Sequence, residues 1–283
     1  MTVPAGAIVV GVDASTSSET ALAWALDEAD RVGAPVHVVH VLHDPAYGHV
    51  IDTVFRDALV EYAEESLAKA DSQRQGRQTP YSAEWVAGSP AEVLVAASEQ
   101  ARMVVVGSRG RGGFAAAVLG SVSHNVIRHA RGPVAVVRDL PPTATAVVVG
   151  VDPAVPEPAL GSAFEAAVAR KLPLTVVHAW QFPPIAGPGL GVPIAGVDVD
   201  VIESGHHHAI TDIVEDWSSK FPDVSVDIRV VRDHPAHALI DASVNSALTV
   251  VGSRGHGGFT ALLLGSTSAA VAAHAHSPVL VAR

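Results

Sequence analysis

The chain has 283 residues, of which 48% are hydrophobic and 17% are charged, and this composition excludes a chain that is disordered throughout. The formal net charge of −11 argues against a general nucleic-acid or anionic-membrane binder, because either class needs a basic surface. There are no cysteines, which excludes disulfide frameworks, cysteine zinc sites and thiol catalysis.

The N-terminus lacks the basic and apolar segments of a signal peptide. No apolar run free of glycine and proline reaches the roughly 18 residues that a membrane-spanning helix needs. We therefore expect a cytoplasmic protein that binds neither nucleic acid nor a membrane.

The first half of the chain alternates valine-rich runs with helical patterns. Residues 8–13 (IVVGVD) form an unbroken apolar run, which is typical of a strand buried on both faces. A helix follows, with Thr16 and Glu19 at the spacing of a capping box and Gly33 at its end. The next predicted elements are a strand at 36–41, a helix at 51–76, a strand at 81–86, a helix that begins at Ser89, a strand at 102–107, a helix near 120–130 and a strand at 133–137.

The second half of the chain repeats the first. Ala7–Asp13 recurs as Ala146–Asp152, and Val105–Arg138 aligns without a gap with Val250–Arg283. A tandem duplication of this kind predicts two copies of one fold.

The strict alternation of strands and helices predicts an α/β fold. We expect two tandem doubly wound, Rossmann-like domains at 1–140 and 145–283, each a five-stranded parallel sheet with strand order 3-2-1-4-5. The fifth strand of each half is an apolar edge, so we expect the halves to pack through these strands as a pseudo-twofold pair. The second half also gains a net seven residues within 181–200, a segment whose glycines and prolines predict a loop or lid.

A glycine-rich loop follows the fourth predicted strand of each half. It reads GSRGRGGFAAAVLGS from Gly107 to Ser121 and GSRGHGGFTALLLGS from Gly252 to Ser266. A chain that turns from a strand tip into a helix presents free N–H groups and the positive end of the helix dipole. We therefore predict an anion site, most often for phosphate, beside Asp13 at the tip of strand one. A mobile surface turn is the structural alternative, but the repeated spacing argues against it.

Neither of two well-known phosphate motifs fits this loop. GxxxxGK[ST] is absent, and strand one is followed by DAST rather than GxGxxG. The pattern GxxG, nine residues, then G[ST], downstream of VGVD, resembles the universal stress protein family, and in particular its ATP-binding tandem-domain members from actinobacteria. The resemblance covers nearly the whole chain, and the complete motif occurs twice.

This resemblance implies a nucleotide α-hydrolase-type fold that binds ATP in each half, with magnesium or manganese on the phosphates. It also implies a homodimer that acts in the stress response as a nucleotide-dependent regulator of an unknown protein partner. Arginines near the loops, Arg109, Arg111 and Arg254, would add positive charge. The implied ATP-binding positions are Asp13, Val41, Gly107, Gly110, Gly120 and Ser121 in the first half, and Asp152, Ala179, Gly252, Gly255, Gly265 and Ser266 in the second.

No catalytic or metal-ligating residue is assigned. The motif lacks a lysine on the phosphates and an evident base for water, so we expect at most weak ATP hydrolysis. The alternatives are an ATP hydrolase or adenylating enzyme of the same fold, and a scaffold whose loops stay empty. In the second half DPAVPE replaces DASTSSE, and Pro153 removes an N–H beside Asp152. The sequence therefore leaves open whether both halves bind ATP.

Several further residues have two interpretations. We interpret His40 and His178 as hydrogen-bonded structural residues, and the aspartates Asp13 and Asp152 as ligand-positioning groups rather than bases. Residues 206–208 (HHH) are read as a solvated helix start rather than a metal site, because consecutive helical residues point in different directions. The four tryptophans are expected to be core or half-buried residues.

Overall fold

The computed structural model describes residues 1–43, 53–74, 76–110, 119–138, 143–155, 158–181, 198–253 and 264–283. Within these ranges, no helix has the length and the apolar content needed to cross a membrane. Residues 139–142, between the two halves, lie outside the described residues, as does most of the predicted lid.

Strands and helices alternate through both halves. The first half contains β1 (Ile8–Val12), α1 (Thr16–Val32), β2 (Val36–His43), α2 (Thr53–Gln73), β3 (Tyr81–Gly88), α3 (Pro90–Ala97), β4 (Met103–Gly107), α4 (Ser121–His129) and β5 (Val134–Val137). The second half contains β6 (Ala146–Gly150), α5 (Ala159–Arg170), β7 (Leu174–Ala179), α6 (Val199–Ser218), β8 (Val226–Val231), α7 (Pro235–Ala242), a short 3-10 helix (Ser243–Asn245), β9 (Ser246–Gly252), α8 (Ser266–His274) and β10 (Val279–Ala282).

The strands form one ten-stranded sheet in the order β3-β2-β1-β4-β5-β10-β9-β6-β7-β8. Each half thus has the predicted order 3-2-1-4-5, and its strands are parallel to one another. β5 and β10 pair antiparallel at the centre, with Val136 opposite Val279 and Val134 opposite Val281. The predicted pairing of the halves through their fifth strands is therefore confirmed.

Helices cover both faces of the sheet, and this explains the unbroken apolar strands. Ile8 and Val10 of β1 face a core shared with α1 and α5, whose largest buried side chains include Leu22 and Phe164. Val9, between them, faces the opposite core, which is shared with the helices α3, α4, α7 and α8. Because consecutive residues of a strand point to opposite faces, every position of β1 must be apolar.

Helix ends depart from the predicted boundaries in three places, one of which is the end of α2, at Gln73 rather than at 76. The N-cap of α1 is Ser15, whose Oγ accepts from the Ser18 amide at 3.2 Å, so the predicted capping box of Thr16 and Glu19 is wrong by one residue. Gly33 ends α1 as predicted, with φ of 64°. The predicted loop at 181–200 is too long, because Asp198 caps α6 by accepting from the Asp200 amide at 3.0 Å.

Candidate functional site

Asp13 follows β1, and its carboxylate is held by the start of α1. Its Oδ1 accepts from the Ser15 amide at 3.1 Å and from the Ser15 hydroxyl at 2.5 Å. Its backbone amide donates to Ser18 Oγ at 3.3 Å, and its carbonyl accepts from the Tyr62 hydroxyl at 2.8 Å. An aspartate fixed in this way is suited to positioning a ligand.

The glycine at the end of β4 touches α1 closely. A Cβ on Gly107 would lie 2.6 Å from Ser17 Oγ and 2.8 Å from the Ser17 carbonyl oxygen. The Ser17 hydroxyl also accepts from the Arg109 amide at 3.2 Å, and the Ser123 hydroxyl donates to the Gly107 carbonyl at 2.6 Å. Gly107 is therefore required by helix packing, and Ser17 ties the first turn of α1 to the glycine loop.

α4 begins at the far end of the loop without a side-chain cap. Gly120 is its N-cap, with φ of −67° and ψ of 152°. The Gly120 amide donates to the Ser108 carbonyl at 2.8 Å, which closes the loop, and its carbonyl accepts from the His124 amide at 2.9 Å. Since the first amides of a helix have no intrahelical acceptor, residues 121–123 present N–H groups.

A cavity of about 690 Å³ lies at the carboxyl ends of β1, β2 and β4. One part of its wall is apolar, with Val39, Val41 and Leu94, and another part carries Arg109 and Ser121. The predicted site residues that line this single cavity are Asp13, Val41, Gly107, Arg109, Gly110, Gly120 and Ser121.

The strand-one aspartate and the glycine loop meet as the predicted topology requires. A Cβ on Gly110 would lie 2.8 Å from Asp13 Oδ2. Arg111 lies outside the described residues. Leu94, His124 and Asn125 also line the cavity, although they are not among the predicted site residues. The position of His124 and Asn125, in the first turn after the Gly-Ser pair, was the available signal.

Two positive charges lie near each other at this end of the sheet. Burial lowers the pKa of the Arg138 guanidinium, and the charge of Arg109 lowers it further. In the described part of the chain, neither arginine forms an ion pair with a carboxylate. An anion bound in the cavity beside Arg109 would relieve this repulsion.

The second half repeats the backbone hydrogen bonds at the two described ends of the loop. The Gly265 amide donates to the Ser253 carbonyl at 2.9 Å, and the Ser268 hydroxyl donates to the Gly252 carbonyl at 2.5 Å. Gly265 caps α8 with φ of −68°, and Ser266 is the first residue of that helix. Arg254 and Gly255, the other predicted positions of this loop, fall outside the described residues.

The second half differs from the first around its strand-one aspartate. Asp152 Oδ1 accepts from the Ala154 amide at 3.1 Å, and Pro153 lies between them. Ala179, the position equivalent to Val41, ends β7. Where the Ser15 amide and hydroxyl contact the Asp13 carboxylate, the equivalent residue beside Asp152 is Ala154, which offers a backbone amide and no hydroxyl.

The histidines are hydrogen-bonded, as predicted, but one of them has an unexpected partner. His40 Nδ1 lies 3.0 Å from Ser66 Oγ. His178 Nδ1 lies 3.0 Å from the Val151 carbonyl, and its Nε2 lies 3.0 Å from His206 Nδ1.

His206 also stacks on Trp180, with ring centroids 5.2 Å apart. The predicted helix start is therefore wrong, because α6 begins at Val199, and of the three histidines only His207 and His208 are exposed. Of the tryptophans, Trp85 is 37% exposed, contrary to expectation. Among the residues that the structure describes, no group of three or more His, Asp or Glu side chains could hold a metal ion.

Comparisons with known proteins agree with this architecture. The model of the Universal stress protein family matches residues 5–138 and again 144–283. A universal stress protein of Mycobacterium tuberculosis is 35% identical over 293 residues, which cover 98% of this chain and 96% of the relative. One from Mycolicibacterium smegmatis is 35% identical over 298 residues, with the same coverage of both chains.

Among solved structures, a universal stress protein of Archaeoglobus fulgidus aligns with a TM-score of 0.69 at 22% identity, covering 98% of this chain and 96% of that one. This likeness concerns the fold alone. The two family matches and the mycobacterial relatives carry the assignment, and the chain belongs to the universal stress protein family.

Proposed function

We propose that the protein binds ATP in the cavity of the first half and acts as a nucleotide-dependent regulator in the stress response. The observation that carries the proposal is the cavity itself, which joins an apolar wall to the uncapped N-terminus of α4. Its volume of about 690 Å³ is within the range of small-molecule sites in proteins.

The chemistry of the lining suits the parts of a nucleoside triphosphate. The adenine would lie against Val39 and Val41, and the phosphates would accept from the amides of residues 121–123. Arg109 would add a charge-assisted contact. Asp13, whose carboxylate is already oriented by Ser15, would accept from the ribose hydroxyls.

A magnesium or manganese ion would be bound mainly by the phosphates. Magnesium usually keeps several waters and takes one or two carboxylates besides phosphate oxygens. Asp13 is a carboxylate on the cavity wall, and it fits that requirement. The ion would neutralise part of the triphosphate charge, while the chain supplies the cavity.

We propose slow hydrolysis or none. The described lining contains Arg109 but no lysine, and Asp13 Oδ1 is engaged by Ser15. Efficient phosphoryl transfer needs several positioned cations and a group that orients water. A regulator needs only a ligand that binds one conformation of the protein more tightly than another, and so shifts the equilibrium between them.

The remaining parts of the proposal follow the family resemblance. The two units are proposed to be residues 1–140 and 145–283, in a cytoplasmic homodimer that contacts a protein partner. ATP would also bind the second half through Asp152, Ala179, Gly252 and Gly265. The replacement of Ser15 by Ala154 beside the strand-one aspartate favours weaker binding there.

Calorimetric titration with MgATP of the wild type and of Gly120→Asp tests the first-half site. Gly120 has negative φ, and the nearest atom to an added Cβ is 3.5 Å away, so a side chain fits. Aspartate is a favoured N-cap, so the variant should fold, but its charge repels phosphate. Gly120→Ala is the matched neutral control, because it adds a Cβ but no acceptor for the α4 amides.

We expect the wild type and Gly120→Ala to bind ATP and Gly120→Asp to lose the first-half site. Equal binding by Gly120→Asp, or no heat and no thermal shift from ATP with the wild type, would contradict the proposal. Sustained multiple turnovers would favour the hydrolase alternative. Gly265→Asp asks the same question of the second half.

A further inference from the structure

Two arginines at equivalent positions of the repeat reach from one half to the other. Arg138 follows β5, and its Nη2 donates to the carbonyl of Ala272 at 2.6 Å and to that of Ala273. Arg283 follows β10, and its Nη2 donates to the carbonyl of Ile127. Ile127 and Ala272 are themselves equivalent in the ungapped alignment of the two halves. The contact is therefore reciprocal.

Each arginine contacts the C-terminal turn of a helix. Ile127 lies near the end of α4, and Ala272 lies near the end of α8. The last carbonyls of a helix have no intrahelical donor, and a cation placed there interacts favourably with the helix dipole. Both arginines therefore fix the end of a helix that belongs to the other half.

The opposite end of each helix is the proposed phosphate site. α4 has nine residues, so Ile127 is about 10 Å along the helix from the Gly120 cap. A short helix moves as one rigid piece. Loss of the contact at Ile127 would therefore disturb the amides of residues 121–123.

Each arginine is also connected to the glycine loop of its own half. Arg138 directly follows Val137, whose carbonyl accepts from the Ser108 amide at 2.9 Å. Arg283 follows Ala282, whose carbonyl accepts from the Ser253 amide at 2.9 Å. Each arginine thus connects the glycine loop of its own half to the helix that begins at the glycine loop of the other half.

We propose that Arg283 positions α4 for anion binding in the first half and that Arg138 positions α8 for anion binding in the second. This inference rests on the proposed nucleotide function of the two loops. It assigns to each site a residue from the other half. It also predicts that ligand binding at one site changes the affinity of the other site.

These contacts are not what joins the halves. β5 and β10 already pair through backbone hydrogen bonds, and Val134, Val136, Val279 and Val281 at that junction are fully buried. Removal of an arginine donor should therefore act on the helix rather than on the association of the halves.

The test uses Gly265→Asp as background, so that only the first half binds ATP. In it, Arg283→Met removes the donors but keeps an apolar stem, and Arg283→Lys keeps a cation. The matched control is Arg128→Met, which removes an exposed arginine from the last turn of α4. Affinity for MgATP and hydrogen exchange of the His124 and Ala130 amides are measured in each protein.

We expect Arg283→Met to weaken ATP binding about five- to tenfold. Arg283→Lys and Arg128→Met should stay within about twofold of the background. Exchange at His124 and Ala130, whose amides bond to Gly120 and Val126, should be faster in Arg283→Met alone.

The inference would be overturned if Arg283→Met bound MgATP as tightly as Arg128→Met and the α4 amides exchanged at an unchanged rate. It would also be overturned if Arg283→Met made amide exchange faster evenly over both halves. If the background protein binds no ATP, the proposed function fails for the first half, and α4 exchange still decides the role of Arg283. Should Arg283→Met not fold, Arg138→Met in the Gly120→Asp background asks the same question of α8.

Discussion

Glu28 of α1 and Arg170 of α5 form a buried ion pair across the junction of the two halves, with 2.6 Å between Oε2 and Nη2. The side chains are only 7% and 5% exposed, respectively. Burial lowers the pKa of Arg170, and the charge of Glu28 opposes that effect. The same carboxylate accepts from Arg31 at 3.2 Å. Arg170 therefore depends on Glu28 for compensation of its charge.

Glu28→Ala should destabilise the protein by about 3–5 kcal/mol, because it leaves the buried Arg170 without its acid. The double variant Glu28→Leu with Arg170→Met should recover much of the loss, since two apolar side chains replace two charges. Chemical denaturation measures both. Glu165→Ala, which removes an exposed acid of α5, is the control. A double variant less stable than Glu28→Ala would contradict this account.

Gly107 and Gly120 should respond differently to alanine. A Cβ on Gly107 meets the Ser17 backbone at 2.8 Å, whereas the nearest atom to a Cβ on Gly120 is 3.5 Å away. Gly107→Ala should therefore cost about 1–3 kcal/mol through overpacking, and Gly120→Ala should be close to neutral. Thermal unfolding distinguishes the two. Equal melting temperatures of the two variants would show that α1 moves to accommodate the added Cβ at residue 107 without a loss of stability.

Ser17→Ala should weaken ATP binding in the first half about two- to tenfold, because the Arg109 amide loses its acceptor and the loop loses its tie to α1. Thr16→Ala, at the exposed neighbouring position, should have no comparable effect. Titration calorimetry in the Gly265→Asp background gives the comparison. If both alanine variants bind equally well, the hydroxyl of Ser17 does not organise the loop.

The contact between His206 and His178 should make stability depend on pH. Burial lowers the pKa of His206 below its usual 6.5, and His178 lowers it further. The unfolded chain then binds a proton more readily than the folded one, so stability falls as the pH falls through about 6.5 and below.

His206→Gln should flatten the melting temperature between about pH 7.5 and pH 5.5, since the amide can donate to His178 but does not titrate in this range. His207→Gln, at an exposed position, serves as the control. If the melting temperature of His206→Gln fell with pH as steeply as that of the wild type, other groups would cause the pH dependence.

The sequence predicted the fold well because the deciding signals are local and duplicated. The apolar run of β1 required cover on both faces, and the alternation of elements required a parallel order within each half. That order brings Asp13 and Gly110 together although they are far apart in the chain. The edge character of β5 predicted its pairing with β10.

The errors arose where several residues offered the same chemistry. In the run Ser15–Ser18 every side chain can cap a helix, and the end of β1 rather than propensity selects Ser15. The close approach of Gly107 to Ser17 was not predicted either, because this contact is tertiary and has no local signature. The stacking of His206 on Trp180 depends in the same way on how α6 packs against β7.

The antiparallel pairing of β5 with β10 has a consequence for how the protein meets other molecules. Within each half the strands are parallel, so all their carboxyl ends point the same way, but the two halves point in opposite directions. The first-half cavity and the second-half loop therefore open at opposite ends of the molecule. One flat partner surface cannot cover both openings, and two partners can dock at the two ends without touching each other.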